Sequence, residues 1–321
     1  MHKNEGRSYY LIIDKTMNML FKPFVSVIIP VYDDLERLKI CLDALENQTY
    51  PRNLYEVIVV NNDPSEDIEP HIVHFDNVRV IRESYRGSYA ARNKGILNAK
   101  GAVLAFTDSD CIPLKDWIEK GVRNLVGWQN MGLVAGKIEI IVGDPENPTA
   151  IEIYEKITAF QQKMYIEKFR FGATANLFTL KNIVKDVGYF NNALLSSGDL
   201  EWGNRVFAAG YKQVYADDTC ILHPARKTFS QRFSKRMRII RGEYDLGLLN
   251  FSLRVFIRKL VLPVIEAKEI ILKGKHCQNL KGKKQKLKLI VAVFFDSYVW
   301  AFGSLAITLL CRKSRKKLEI N

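Results

Sequence analysis

The chain has 321 residues, of which 47% are hydrophobic, and it carries a formal net charge of +13. This length and hydrophobic content allow one large domain with an appendage or two domains, and they exclude a disordered chain. The five cysteines lie far apart and form no CxxC pair, which favours free thiols over a disulfide framework or a zinc site. They are Cys41, Cys111, Cys220, Cys277 and Cys311.

The positive charge is confined to the C-terminal region. Residues 1–220 contain 25 Lys and Arg against 29 Asp and Glu, whereas residues 221–321 contain 23 against 6. The sequence therefore predicts a mildly acidic body followed by a basic region. Residues 1–23 lack the apolar core and the cleavage site of a secretory signal, and we expect an irregular lead-in there.

Strands and helices are predicted to alternate after this lead-in. The strands are β-branched runs that end in polar residues, and the first helix has Leu38, Leu42 and Leu45 on one face. The predicted strands are residues 24–34, 55–63, 77–83 and 102–110, and the predicted helices are residues 35–48 and 87–99. This alternation predicts an α/β fold with a mostly parallel central sheet flanked by helices.

A polar cluster follows three of the predicted strands. In a parallel sheet these strand ends meet at one edge, where ligands bind. Turn-forming acids would explain each cluster singly, but they explain three converging clusters less well. The clusters are Tyr32-Asp33-Asp34, Asn61-Asn62-Asp63 and Asp108-Ser109-Asp110.

Asp108 and Asp110 stand one residue apart directly after an apolar strand. Two carboxylates in this position can offer oxygen ligands to a hard divalent cation, Mg²⁺ or Mn²⁺, which shares them with the phosphates of a substrate. The alternative is a solvated turn, because acid-x-acid tripeptides are common in turns. The position after a strand of a nucleotide-type sheet favours the metal site.

Seven short motifs, in this order, resemble those of the inverting family 2 glycosyltransferases, which have the glycosyltransferase A fold. They are SVIIPVYDD, VIVVNNDPSED, RGSYAARNKGI, FTDSDCIP, GATANLF, VGYFN and SGDLEWGNRVFAAGY. The resemblance covers residues 24–226 and leaves residues 227–321 as a helical, basic appendage. It implies an enzyme that moves a sugar from a nucleoside-diphosphate sugar, with a uridine diphosphate donor expected, to an acceptor hydroxyl with inversion.

The resemblance also implies the residues that bind the donor and the metal. Asp110 and Asp108 would hold the cation on the diphosphate, and His223 would be a third metal ligand or a structural histidine. Arg92 would reach the diphosphate or form a surface salt bridge. The second motif departs from the usual acidic pair, so either Asn62 or Asp63 would contact the nucleobase. The donor-binding residues expected are Pro30, Val31, Tyr32, Asp33, Asn62, Asp63, Arg92 and Asp108.

The last motif implies that Asp199 is the general base, although many members have a glutamate where Ser197-Gly198 stands here. An aspartate at a helix start is also an ordinary N-cap, which is the alternative for Asp199. Trp202 could stack on an acceptor sugar or could pack in the core, and neither alternative is favoured by the sequence. The acceptor-binding residues expected are Thr174, Asn176, Glu201 and Trp202.

The C-terminal region has the pattern of a membrane-binding segment. Residues 225–242 hold seven basic residues and no acid, with apolar residues on one helical face. Residues 289–311 are long enough to cross a hydrocarbon core of about 30 Å. However, Asp296 would cost about 2.5–3.5 kcal/mol at the centre of a span, and basic runs flank both ends. An in-plane or re-entrant helix fits better, and a helix packed on the catalytic domain is the alternative.

These patterns predict a cytoplasmic enzyme attached peripherally or monotopically to the anionic inner face of the cell membrane, acting on a glycan or a lipid-linked glycan. The composition does not favour nucleic acid as a partner, because the tail lacks aromatics interleaved with basic residues and is too apolar. A nucleotidyltransferase is disfavoured, since no glycine-rich loop follows the first strand. A catalytically silent relative is the remaining alternative, and the presence of Asp108, Asp110 and Asp199 argues against it.

Overall fold

The computed structural model describes residues 22–318 apart from residues 64, 66, 250, 277–279 and 281, and apart from the side chains of residues 273–276 and 312–318. The predicted lead-in therefore lies almost wholly outside the described residues. So do Cys277, two residues of the VIVVNNDPSED motif and the side chains of the basic run after Cys311.

Strands and helices alternate as far as the fourth strand, and the described part of the chain ends in four successive helices. The strands are β1 (Val25–Val31), β2 (Tyr55–Asn61), β3 (Val78–Arg82), β4 (Val103–Thr107), β5 (Ile112–Pro113), β6 (Met131–Ile141), β7 (Asn176–Leu180) and β8 (Lys212–Pro224). The helices are α1 (Leu35–Glu46), α2 (Glu69–Ile72), α3 (Ser88–Asn98), α4 (Trp117–Val126), α5 (Ala150–Thr158), α6 (Gln162–Met164), α7 (Lys181–Val187), α8 (Gly198–Ala208), α9 (Phe229–Asp245), α10 (Leu253–Val261), α11 (Pro263–His276) and α12 (Gly282–Leu318).

The strands form one sheet in the order β3-β2-β1-β4-β7-β6-β8-β5. The four strands predicted from the sequence are parallel neighbours in it, so this half of the fold is confirmed. The other half is joined by antiparallel pairs, β4 with β7, β7 with β6, and β5 with β8. This mixed α/β sheet is the glycosyltransferase A fold that the resemblance implied.

The first half of the sheet is buried because its strands are continuous β-branched runs. β2 is buried along its whole length, and so is β1 apart from Pro30. α3 packs closely on β1 at Gly95, where a Cβ atom would lie 2.4 Å from a side-chain carbon of Ile28. A larger residue at this position would push α3 away from the sheet.

The chain divides into two compact units. The sheet unit contains the described residues up to 139, residues 161–192 and residues 199–223. The helical unit contains residues 140–160, 193–198 and the described residues from 224 onward. The predicted domain boundaries, 24–226 and 227–321, remain a prediction. They divide the chain into continuous segments, whereas α5 groups with the C-terminal helices.

The helical unit has a small core of its own. Its buried residues come from α5, α11 and α12, and they include Ile153, Ile157, Ala267, Leu289 and Val293. Within the described residues, Gly282–Cys311 of α12 is long and apolar enough to cross a membrane by length and composition alone. Core helices of water-soluble proteins pass the same test. The contacts of α12 are therefore needed to distinguish a membrane helix from a core helix.

Candidate active site

The three polar clusters lie at one edge of the sheet, as the sequence predicts. β1 pairs in parallel with β2 on one side and with β4 on the other. In the register of these pairs, Val31 lies opposite Asn61, and Ile28 lies opposite Phe106. The residues that follow β1, β2 and β4 therefore emerge side by side at the carboxyl edge.

Four side chains at this edge could hold a metal ion. Each offers one ligand atom, and these atoms all lie within 4.8 Å of one another. β5 continues directly from the acid-x-acid turn and pairs antiparallel with β8, with Ile112 opposite Leu222. This register brings a histidine from a distant part of the sequence next to the turn. The four residues are Asp108, Asp110, Cys111 and His223.

The donor atoms fit Mg²⁺ or Mn²⁺. Nε2 of His223 lies 3.6 Å from Oδ1 of Asp110, and the imidazole is only 3% exposed. Two carboxylates and one imidazole form an oxygen-rich set that suits these cations, whereas a thiol such as Cys111 suits softer metals. Asp108, Asp110 and His223 are therefore the residues that would hold the cation.

Arg37 lies beside these carboxylates, although sequence reasoning did not select it. Its Nε donates to Oδ1 of Asp34 at 2.7 Å, and its guanidinium lies 3.6 Å from Oδ2 of Asp110. Burial raises the pKa of Asp34, and hydrogen bonds from Arg37 and Ser109 offset this effect only in part. The signal that could have identified Arg37 is a basic residue in the first turn of the helix after a nucleotide-binding strand.

The residues that follow β1 form an exposed corner. The ring of Tyr32 is 49% exposed, and the guanidinium of Arg86 lies 5.5 Å from its centre. Asp33 has a φ of 48°, which is uncommon for a residue other than glycine. Pro30 and Val31 belong to β1 itself, and Val31 is buried, so a contact from Val31 to a ligand would use its backbone.

Asn62 and Asp63, the two alternatives for the nucleobase contact, have different surroundings. The amide of Asn62 donates to two carbonyl groups of the 83–87 loop, at 2.7 and 2.9 Å, and accepts from a backbone N–H of the same loop. Both of its donors therefore serve to fix this loop. Asp63 accepts from the hydroxyl and the N–H of Ser65, which hold the pKa of Asp63 below its usual value. This makes Asp63 the better candidate.

Arg92 is buried and contacts Asp108 of the acid-x-acid turn. Its guanidinium donates to Oδ1 of Asp108 at 2.5 Å, and it is only 3% exposed, so the alternative of a surface salt bridge is wrong. Its Nε is buried and has no hydrogen-bond partner among the described residues. A buried polar group without a partner is rare in proteins, and an arginine N–H is a strong donor to a phosphate.

Asp199 lies at the start of α8 and contacts α3. The hydroxyl of Tyr89 donates to its Oδ1 at 3.3 Å, and the N–H of Leu200 donates to the same oxygen at 3.0 Å. Burial raises the pKa of Asp199, and the charge of Arg92 and these hydrogen bonds lower it by less, so the pKa stays above its ordinary value. A carboxylate with a raised pKa is a better acceptor of a proton.

Tyr89 and Arg92 connect Asp199 to the acid-x-acid turn. Both belong to α3 and lie three positions apart, so their side chains share one face of the helix. Tyr89 binds Asp199, Arg92 binds Asp108, and the guanidinium of Arg92 lies 5.7 Å from the centre of the Tyr89 ring. Sequence reasoning missed Tyr89, although a hydroxyl so close to Arg92 in the RGSYAARNKGI motif was a usable signal.

Trp202 does not face an acceptor. Its indole is 0% exposed, its Nε1 donates to the carbonyl of Gly188 at 2.9 Å, and its ring packs 5.1 Å from that of Phe190. No face remains on which a sugar could stack, so the expected acceptor role is corrected to core packing. Both oxygens of Glu201 bind the guanidinium of Arg205, at 2.6 and 3.0 Å, and its acceptor role stays a prediction.

Asn176 is also a structural residue. It is 0% exposed, accepts from the indole N–H of Trp117 at 2.9 Å and donates to backbone carbonyls of β6 and β8 at 2.8 and 2.9 Å. At Gly136 a Cβ atom would lie 2.4 Å from its amide nitrogen, which shows how tightly it is enclosed. The expected acceptor contact of Asn176 is therefore corrected, and Thr174, 4% exposed, offers little surface for one.

The chain is similar to known proteins in sequence and in fold. The family model described as glycosyl transferase family 2 matches residues 26–188. Among curated proteins, the glycosyltransferase AglE of Haloferax volcanii is 42% identical over 239 residues, which cover 72% of this chain and 77% of AglE.

Two solved structures are similar in fold. The mannosyltransferase PcManGT from Pyrobaculum calidifontis, in complex with GDP-Man and Mn²⁺, matches with a TM-score of 0.57 and 16% identity over 94% of this chain and 93% of its own. GalNAc-T7 with UDP, GalNAc and Mn²⁺ matches with a TM-score of 0.50 and 17% identity over 64% of this chain and 43% of its own. At these identities the likeness shows the shared fold alone.

Proposed function

Because the chain belongs to glycosyl transferase family 2, we propose that it moves a sugar from a nucleoside-diphosphate sugar to an acceptor hydroxyl, with inversion and with the help of a divalent cation. That it is a glycosyltransferase is shown by the family. The donor, the cation and the inversion are the proposal. The observation that carries it is the connected series Asp108, Arg92, Tyr89 and Asp199, which joins the acid-x-acid turn to a half-buried carboxylate.

The acid-x-acid turn would bind the diphosphate of the donor through the cation. Asp108, Asp110 and His223 would hold Mg²⁺ or Mn²⁺, which neutralises charge on the leaving diphosphate. Arg92 keeps a buried N–H for which the described residues provide no acceptor, and a phosphate oxygen is a suitable one. Arg37 supplies a second guanidinium at the same turn. These two cations would orient the diphosphate.

The acceptor side depends on Asp199. Its carboxylate takes the proton of the acceptor hydroxyl while that oxygen forms a bond to the anomeric carbon and the bond to the diphosphate breaks. One base suffices for such a single displacement, which inverts the anomeric centre. The raised pKa of Asp199 supports this role, because the group must accept a proton during the reaction.

We propose a uridine diphosphate sugar as the donor, with Tyr32 and Asp63 as contacts to the nucleoside. Tyr32 supports this assignment because its ring is exposed, and Asp63 because its carboxylate lies at the same sheet edge. PcManGT was solved with GDP-Man and GalNAc-T7 with UDP, so a guanosine donor is the alternative to test.

We propose an acceptor that is a glycan or a lipid-linked glycan at the cytoplasmic face of the cell membrane, in the synthesis of a polysaccharide. The support is the charge of residues 221–321, where 23 basic residues stand against 6 acids. Basic residues near anionic lipid contribute about 1 kcal/mol each to membrane binding, so this region favours a membrane-attached enzyme.

The donor site is tested by thermal stabilisation with nucleoside diphosphates, with and without Mn²⁺. At 100 times its dissociation constant a ligand stabilises the folded state by about 2.7 kcal/mol. We expect stabilisation by one nucleotide in the presence of Mn²⁺, and we expect Asp110→Asn to abolish its metal-dependent part. Asp116→Asn makes the same charge change nearby, outside the ligand cluster, and should have no such effect. If no nucleotide stabilises the protein with any cation, the proposed donor site is wrong.

Tyr89→Phe should move the acidic limb of the pH dependence of kcat/KM to higher pH. The Tyr89 hydroxyl favours the ionised form of Asp199, so its removal raises the pKa of Asp199 further, while Arg92 stays in place. Because the base acts only when ionised, activity then falls away sooner as the pH is lowered. Rates of sugar transfer at a series of pH values measure the shift. Tyr85→Phe, at an exposed tyrosine, is the control, and an unchanged limb in Tyr89→Phe would contradict the contact.

A further inference from the structure

Helix α12 differs from a helix in water because, from residue 289 to residue 311, it buries polar side chains together with apolar ones and exposes only apolar ones. Its buried residues include the polar Asp296, Ser297, Ser304 and Thr308, none of them more than 8% exposed. From residue 287 to residue 311 its exposed large side chains are apolar, and each is between 37% and 65% exposed. A surface helix of a water-soluble protein buries its apolar side and exposes its polar side. The outward side of α12 is therefore suited to an apolar environment.

The exposed apolar residues of α12 form a continuous stripe. Successive members are separated by four, seven, four and seven positions, which keeps them on one side of an α-helix. From first to last the stripe is about 33 Å long at 1.5 Å per residue. We call it the outer stripe, and its residues are Leu287, Val291, Tyr298, Phe302 and Leu309.

The opposite side of α12 is bound to other helices by buried ion pairs. Oδ1 of Asp296 accepts from Nε of Arg232 at 2.7 Å and from Nε of Arg236 at 3.0 Å, both on α9. The hydroxyl of Tyr154, on α5, donates to Oδ2 at 3.0 Å. Arg232 also lies 3.4 Å from Glu155 of α5. Separating α12 from α9 would leave these charges buried without partners, which is strongly unfavourable.

These ion pairs argue against a helix that crosses the bilayer. α12 could span the hydrocarbon only if α9 entered with it, and α9 carries five basic residues. Charged side chains at the bilayer centre are costly, and every one of them would need a partner there. The outer stripe can still meet lipid when α12 lies along the surface, with α9 on the water side.

Helix α10 extends the same surface. Leu253, Ile257 and Val261 follow one another at four-residue intervals, and each is at least 50% exposed. Arg254 and Arg258 are exposed at the neighbouring positions of the same helix. α10 contacts α12 through Phe256, whose ring lies 5.6 Å from that of Phe302 in the outer stripe. The two helices therefore present one apolar surface with basic residues beside it.

We propose that the outer stripe of α12 and the exposed side of α10 lie in the plane of an anionic bilayer, at the level where headgroups meet acyl chains. An amphipathic helix with basic residues next to its apolar face binds membranes in this way. The excess of basic residues in this region complements anionic headgroups. The inference rests on the proposed membrane location of the enzyme and specifies the surface that achieves it.

Flotation of the full chain with phosphatidylcholine vesicles, with and without phosphatidylglycerol, tests the surface. We expect binding to the anionic vesicles, and we expect the double variant Val291→Gln and Phe302→Gln to bind about tenfold more weakly or worse. The matched control is Val73→Gln and Trp128→Gln, which changes two exposed apolar residues of the sheet unit and should bind normally. Equal binding of both double variants, or no binding of the unaltered protein, would overturn the proposal.

Two further readouts separate the possible failures. A C-terminal epitope should stay open to protease added outside the vesicles, and protection of the epitope would show a spanning helix instead. Light scattering of the protein without lipid should give a monomer, whereas a dimer that the stripe variant dissociates would show that a second copy covers the stripe. Stabilisation by nucleotide and Mn²⁺ should be the same in every variant, so loss of vesicle binding is distinguished from failure of the proposed transferase site.

Discussion

Asp199→Asn is expected to lower the rate of sugar transfer by about 10³-fold while leaving the binding of nucleotide and metal unchanged. General base catalysis contributes roughly 10²–10⁴-fold, and 10³-fold corresponds to about 4 kcal/mol of activation free energy. The amide keeps the size of the carboxylate and can still accept from Tyr89 and Leu200, so the site should remain folded. What it loses is the ability to take a proton from the acceptor hydroxyl.

The measurement is the initial rate of product formation, together with stabilisation by nucleotide and Mn²⁺ in the same variant. Asp186→Asn is a matched control, because Asp186 binds Tyr211 on an exposed part of the sheet unit. A rate within a few fold of the unaltered enzyme in Asp199→Asn would exclude Asp199 as the base. A loss of nucleotide binding in that variant would instead indicate a structural role.

Asp296→Ala is expected to destabilise the helical unit by about 3–5 kcal/mol, because it leaves two buried guanidinium groups without their carboxylate. Burial alone would raise the pKa of Asp296, but Arg236 and Arg232 outweigh it and hold this pKa below its ordinary value. The stabilisation is therefore present above the unfolded pKa of about 4 and is lost as the pH falls through the folded pKa.

Hydrogen exchange of the amides of α9 and α12 measures this loss within the helical unit, and repeating it in acid tests the pH dependence. Asp245→Ala is the control on the same helix α9, since Asp245 forms an exposed pair with Arg241 that should be worth less than about 1 kcal/mol. Equal effects of the two substitutions would mean that the Asp296 ion pairs add no stability beyond that of a surface pair.

The parallel half of the sheet could be predicted because its strands are continuous apolar runs that end in polar residues. The antiparallel half could not, since β5 has only two residues and β8 includes Lys212, Asp217 and Asp218. The place of His223 depends on the pairing of these two strands, so the motif alone suggested a ligand without explaining how it reaches the turn. Pairing between distant segments is not visible in a local pattern.

The position of the candidate site could be predicted where a carboxylate follows a strand, as at Asp108 and Asp110, which lie in a cluster that could hold a metal ion. Their role in metal binding stays a prediction. The site was predicted poorly where the role of a residue depends on whether its side chain is buried in the core. Trp202 lies next to the helix start that carries Asp199, and the sequence does not show which side of an aromatic residue faces the core. The resemblance of the GATANLF motif implied an acceptor contact for Asn176, yet its hydrogen bonds are used within the fold. Arg37 and Tyr89 are ordinary residues in the sequence and become important only through contacts to distant residues.

In the C-terminal region, Asp296 is another residue whose role depends on contacts that the sequence does not show. From the sequence it is a charge inside an apolar segment, and it argued against a spanning helix through the cost of burying it. In the structure it is already buried, and its partners lie about 60 positions earlier on α9. Asp296 therefore argues against a membrane-spanning α12 because it binds α12 to the basic helix α9.

The close contact of α3 with β1 at Gly95 has a consequence for how this enzyme can change over evolution. One helix carries both Arg92, which binds Asp108 of the acid-x-acid turn, and Tyr89, which binds the proposed base Asp199, and it packs closely against Ile28. In the proposed reaction, the residues that act on the leaving group and the residue that acts on the acceptor are therefore both positioned by helix α3. A shift of α3 would disturb the contacts of Asp108 and Asp199 at once, so we expect changes of sugar or acceptor specificity to arise in the loops around α3.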